Sequence, residues 1–163
     1  YTVEEARKAL EAIKTMPGKT KRMQVLASGI GSGCFCYLFG GSLMDSAAAF
    51  AAGLILYLFV LYVSTPRLSK IVGNLAGGAL VTFLCMVFYH IHLGEHLNHM
   101  VIGSIIPLVP GVPFTNAIRD IADGDYISGS VRMLDAMLVF FCIAMGVGLM
   151  FTIYGRIGGG MTL

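Results

Sequence analysis

Ile106-Pro107-Leu108-Val109-Pro110-Gly111-Val112-Pro113-Phe114-Thr115-Asn116-Ala117-Ile118-Arg119-Asp120 is the stretch on which the fold turns. Each proline removes a backbone donor, and its ring clashes with the carbonyl four residues back. Three prolines and a glycine this close together predict an interrupted helix. The interruption falls in an apolar run, Met100 to Phe114, that otherwise reads as a membrane segment. Carbonyls freed at membrane depth must be satisfied by protein, water, ion or solute. Short, broken membrane helices are therefore where transport sites tend to form. The plainer alternative is a kink, or a helix that ends early at Pro113.

Beyond the break, Thr115, Asn116, Arg119, Asp120 and Asp123 recur at i, i+1, i+4, i+5 and i+8, one face of a helix. Arg119 can grip a carboxylate in a two-pronged fork, and Thr115 and Asn116 offer neutral donors and acceptors. The candidate solute-binding set is Pro110, Gly111, Pro113, Thr115, Asn116 and Arg119. The competing reading is a solvated helix end carrying an internal Arg119–Asp123 pair. Asp120 and Asp135 are the candidate proton-coupling carboxylates. Asp135 opens the last apolar segment, where a carboxylate is costly and desolvation favours its protonated form. A simple ion pair with Arg132 or Arg119 is the alternative there.

The rest of the chain agrees with a membrane protein. Of its 163 residues, 56% are hydrophobic and only 12% charged, against about 25% charged in soluble domains. Its 21 glycines suit membrane helices, whose backbones approach closely through small residues. Five apolar segments follow one another: Met23–Met44, Ser46–Val63, Ile71–Tyr89, Met100–Phe114 and Met133–Tyr154. Most have the roughly 17 to 25 residues that a spanning helix needs. Residues 1–22 differ. Thr2 and Glu5 form a capping-box pattern, Val3, Ala6, Leu10 and Ile13 keep helical spacing, and Pro17-Gly18 ends the run. Lys19-Thr20-Lys21-Arg22 then leads into the membrane. The expected organisation is an all-α, polytopic protein. Residues 1–22 form a cytoplasmic amphipathic helix and basic linker, and 23–163 a domain of five transmembrane helices with a proline-broken fourth. The chain opens at Tyr1, so a further segment is expected ahead of it.

Basic residues orient the segments. With the N-terminus inside, every lysine and arginine except Arg156 falls on the cytoplasmic side. If the fourth segment is re-entrant, Arg119 and Arg132 move outside and Arg156 moves inside, so charge favours five spans only weakly. An odd number places the C-terminus outside. A second similar unit would then be inverted, a common transporter plan with the site at the repeat interface.

Other chemistry is poorly supported. Cys34, Cys36, Cys85 and Cys142 lie inside apolar runs without metal spacing. His90, His92, His96 and His99 crowd one loop with Glu95. His92, His96 and His99 have helical spacing that a metal could use, a pH-sensing role is a second option, and a polar cap without special duty a third. A net charge of +2 and the lack of a basic–aromatic run argue against nucleic acid. Ser128-Gly129-Ser130 has no histidine nearby in sequence, and no phosphate loop is present. An enzyme, a cofactor and a resident metal are not expected.

The run Leu108 to Asp120, continuing into Gly124-Asp125 and Ser128-Gly129, resembles the threonine/serine exporter family, in particular its N-terminal half or subunit. Leu38-Phe39-Gly40-Gly41-Ser42 with Asp45, and the opening helix leading through Pro17, resemble it too. The histidine cluster lies outside that pattern. The resemblance implies a cytoplasmic domain ahead of the opening helix. It also implies either one fused ten-span protein or two subunits, the second small and membrane-embedded, forming homo- or hetero-oligomers in the inner cell membrane. Family activities are proton-linked threonine and serine export, with succinate export in a two-subunit branch. The expectation is thus an exporter subunit for small carboxylate-bearing solutes, working by alternating access. A dicarboxylate exporter subunit and a non-transporting scaffold of a partner transporter are the alternatives.

Overall fold

A computed structural model describes residues 7–8, 10–11, 20–62 and 69–157. From residue 20 on, six helices carry the described chain: α1 Lys21–Leu38, α2 Leu43–Tyr62, α3 Lys70–His90, α4 Leu97–Ile105, α5 Gly111–Ala122 and α6 Tyr126–Ile157. A 3-10 turn, Ile106–Leu108, follows α4. The capping-box residues and most of the predicted opening helix lie outside the described residues. Within that helix Arg7, Lys8, Leu10 and Glu11 are helical, and Arg7 Nε stands 3.5 Å from Glu11 Oε1.

By length and composition, three helices can cross a membrane: Leu43–Tyr62, Lys70–His90 and Tyr126–Arg156. A fourth span is formed if Leu97–Leu108 and Gly111–Ala122, bent by 63°, are taken together. The first apolar segment differs from expectation. Met23–Met44 is not one rod: α1 stops at Leu38, a tight turn follows, and α2 begins at Leu43. Lys21, Arg22, Gln24 and a run of glycine and serine leave α1 outside the set defined by length and composition.

The turn after α1 shows why the helix stops. Gly40 adopts φ +95°, and the N–H groups of Gly40 and Gly41 donate back to Tyr37 and Cys36 at 3.0 Å each, a left-handed C-terminal cap. Gly124 (φ +90°) closes α5 in the same way. At the end of α3 the left-handed position is His92, φ +57°, where a side chain is normally disfavoured.

Two close-packed groups make up the bundle. In one, α1 and α4 lie against α2, with α3 beside them. In the other, α6 packs along α3, while α5 folds back on α6. Small residues set the spacing. A Cβ on Gly103 of α4 would come within 2.7 Å of the Cys36 backbone nitrogen of α1, and one on Gly78 of α3 within 2.8 Å of the Ile143 carbonyl of α6. Ala48, Ala52, Leu56, Val81, Cys85, Met100 and Val101 fill the core. Two buried hydroxyls are tied across it. Ser28 Oγ donates to the Gly53 carbonyl at 3.0 Å, and Ser104 Oγ accepts from Cys85 Sγ at 3.7 Å while donating to the Ala49 carbonyl at 3.5 Å.

At 32 residues, α6 is about 48 Å long, well beyond the roughly 30 Å of a hydrocarbon core. Its excess lies at the N-terminal end. The Lys70–Asp135 ion pair sets the start of α3 level with residue 135, so the first turns of α6 project past α3. There they pair with α5.

Candidate functional site

The proline cluster breaks the helix as its chemistry predicts, but not every proline contributes. Pro107 sits in the first turn of the 3-10 segment, where it lacks the N–H that would continue the α4 ladder. Val109 turns extended (φ −64°, ψ 123°), and Pro110 is the residue before α5. Backbone hydrogen bonding shifts to short turns, with Val109 N–H donating to the Ile106 carbonyl at 3.1 Å and Gly111 N–H to the Val109 carbonyl at 2.8 Å. Pro113 lies in the first turn of α5, where a missing donor costs nothing. It begins the second helix and takes no part in ending the first.

A cavity of about 240 Å³ opens beside this break. Leu56, Tyr57 and Val60 of α2 form one wall, Lys70, Gly73 and Asn74 of α3 another, and Pro107 and Leu108 the third. Its polar groups come from Tyr57, Lys70 and Asn74. Tyr57 donates its phenol to Gln24 Oε1 at 3.2 Å, bringing in α1. Asn74 Nδ2 donates to the Lys70 carbonyl at 2.9 Å, one turn earlier on α3. Lys70 Nζ meets Asp135 Oδ2 of α6 at 2.5 Å, with both side chains more than half exposed.

The residues singled out on sequence are distributed as follows. Pro110 is half-buried at the hinge, and Gly111, Pro113, Thr115, Asn116 and Arg119 are exposed along α5. The Thr115 hydroxyl donates back to the Gly111 carbonyl, and Arg119 Nε stands 3.7 Å from Asp123 Oδ2. Asp120 is held by Arg132 Nη1 at 2.8 Å. Phe114 meets Phe140 edge-on, ring centroids 5.7 Å apart, and Ala117 is the buried contact residue of α5. The polar face of α5 thus forms one surface beside the projecting start of α6, while Asp135 stands apart from it with Lys70. The partner of Asp135 is neither Arg132 nor Arg119.

Tyr57, Lys70 and Asn74, which line the cavity, are not among the residues singled out on sequence. The available signal was the pair Lys70 and Asn74 at i, i+4 on one face of α3, with a carboxylate at the matching end of another span. The proline motif was legible; its cationic neighbour comes from a helix distant in sequence.

A second polar centre lies at the opposite end. Asp45, in the first turn of α2, is fully buried. Its Oδ2 accepts from Ser42 N–H at 2.9 Å, while Asp45 N–H donates to Ser42 Oγ at 3.1 Å, a reciprocal cap. Its Oδ1 accepts from Glu95 N–H at 2.6 Å and His96 N–H at 3.0 Å, and His96 Nδ1 lies 3.1 Å from Oδ2. One carboxylate therefore ties the α1–α2 turn to the α3–α4 loop. The histidines do not share the single helix face their spacing allowed. His92 is in the turn after α3, His96 precedes α4, and His99 lies inside α4. Among the described residues, no group of three or more His, Cys, Asp or Glu side chains is placed to hold a metal ion.

Comparison with known proteins gives this geometry a context. Residues 1–154 match the sequence pattern of the threonine/serine exporter family, ThrE. Pheromone-regulated membrane protein 10 of Debaryomyces hansenii is 29% identical over 135 residues, which cover 80% of this chain and 13% of that protein. The chain therefore spans about an eighth of the relative's length. No solved structure matches it.

Proposed function

Because the chain belongs to the threonine/serine exporter family, we propose that it forms one half of a membrane exporter for small carboxylate-bearing solutes such as threonine and serine. It works by alternating access, with export coupled to protons through Asp120 or Asp135. In this reading α1 joins the three apolar helices and the bent pair as a fifth span. The complementary half is a second membrane unit of the same family.

The observation that carries the reading is a cavity beside a helix break, lined by a cation, an amide and a phenol. Polar groups at such a position are expensive in lipid unless they meet water, solute or one another. A scaffold that left the pathway to a partner has no need of them. The polar face of α5, with Thr115, Asn116 and Arg119, begins directly after the break and supplies the cytoplasmic approach to the cavity. Proline-fixed backbone at Pro110 and Pro113 holds that face at its angle.

Counterflow of labelled threonine, serine and succinate in liposomes tests the proposal, using the complete protein with any copurifying subunit. The expected result is exchange of at least one of these solutes, lowered in Asn116→Ala and in Arg119→Ala. Undiminished transport in both variants would remove the α5 face from the site. No exchange by the unaltered protein would remove the exporter reading itself.

A further inference from the structure

We propose that the Lys70–Asp135 ion pair is the element that selects a zwitterion, opening to take a carboxylate on Lys70 and an ammonium group on Asp135. The inference rests on the exporter reading and adds residues and a ligand class to it.

Three observations converge. Lys70 is shared, because it lines the cavity at the helix break and also reaches Asp135 Oδ2 on another helix. The pair joins α3 to α6, so its opening is felt by both helices. Both side chains are more than half exposed, so an incoming solute can reach each of the two charges. A molecule that carries both charges can replace each half of the pair with the other half still satisfied. A free α-amino acid does this, with its ammonium and carboxylate both attached to the α-carbon.

A dicarboxylate does not. Its first carboxylate finds Lys70, but its second meets Asp135, a like charge. A carboxylate without an amino group leaves Asp135 without its partner. The pair therefore discriminates by repulsion as well as attraction. Asn74, one turn beyond Lys70, and Tyr57 on the opposite wall stand where a small polar side chain of the solute would lie. The other charges near this end of α6 are already engaged, Arg132 with Asp120 at 2.8 Å and Arg119 with Asp123 at 3.7 Å.

The test compares threonine with 3-hydroxybutyrate, which has the same carbon skeleton without the amino group, in the reconstituted complete protein. Asp135→Asn is expected to lower kcat/KM for threonine by about tenfold or more, the effect of losing one charged hydrogen bond. Any loss for 3-hydroxybutyrate should be several-fold smaller, so that the preference for threonine falls. Lys70→Gln should lower both, and Lys70→Arg should retain both. Equal losses for the two solutes in Asp135→Asn would show a merely structural bridge and overturn the proposal, as would unaltered threonine transport in Lys70→Gln. For a variant that inserts poorly, the ligand-induced rise in unfolding temperature in detergent supplies the same comparison, and the same pattern across the two solutes decides it. If the unaltered protein moves neither threonine, serine nor succinate, the exporter reading fails first. Transport that ignores both substitutions sinks only the assignment of the pair.

Discussion

Asp45 illustrates how one buried charge is tolerated. Its oxygens accept from three backbone N–H groups, of Ser42, Glu95 and His96, and meet the His96 ring. A carboxylate so surrounded replaces its lost water with fixed donors. Removing it strands several donors at once, at a cost of about 1 to 3 kcal/mol for each group that water cannot reach. Asp45→Ala is therefore expected to lower the unfolding temperature in detergent markedly. Asp45→Asn, which keeps one oxygen acceptor, should lower it less. Equal, small shifts for both would mean that the turn and the loop hold together without the carboxylate. At this scale the sequence was partly legible. Ser42 and Asp45 are spaced as a cap, but their reach to Glu95 and His96 crosses some fifty residues and no local pattern announces it. Lys70 is the same lesson at the candidate site, for its spacing on α3 was visible and its partner on α6 was not.

Among the elements, the bent pair of α4 and α5 carries the function proposed here. Pro107 and Pro110 stop one helix and aim the next, and the 63° bend is what leaves room beside Leu108 for the cavity. Proline inside a helix costs about 3 kcal/mol, so a break retained at that cost has to be justified by packing or by function. The double variant Pro107→Ala, Pro110→Ala restores two backbone donors and favours a straighter rod. Its expected phenotype is equal or greater thermal stability with loss of solute exchange. Retained exchange with lost stability would make the bend a packing device only. The interrupted helix was legible from the residues because proline chemistry is local. The division of labour among the prolines was less so: Pro113 belongs to the first turn of α5, where it is harmless, and that depends on where the new helix happens to start. The early end of the first segment's helix has a similar cause. Hydropathy runs smoothly through residues 23–44, but the left-handed conformation at Gly40 ends α1 regardless.

Across the whole molecule, backbone proximity does the work that burial of large side chains does in soluble proteins. Lipid tails are as apolar as leucine, so helices associate through close packing and hydrogen bonds. The α3–α6 contact shows this, since a Cβ on Gly146 would come within 2.9 Å of the Ala79 backbone nitrogen. Gly146→Val should separate the two helices and destabilise the protein by about 1 to 3 kcal/mol, read as a fall in unfolding temperature. It should also weaken exchange, because Lys70 and Asp135 sit across that same contact. A variant of unaltered stability would contradict the packing described. Glycine content pointed to such an architecture, but not to which helices pair, since that information lies in shape complementarity between distant segments.

The account rests on the cavity beside the broken helix being a stretch of the solute's route, and accessibility at Asn74 tests that most directly. Cys34, the one exposed native cysteine among the described residues, is first replaced by serine, and Asn74→Cys is introduced in the complete, membrane-embedded protein. Modification by a water-soluble thiol reagent is then followed with and without saturating threonine or serine. The account predicts that the new thiol reacts and that the transported solute slows the reaction. A thiol that stays unreactive, or reacts at the same rate whatever solute is present, would contradict it.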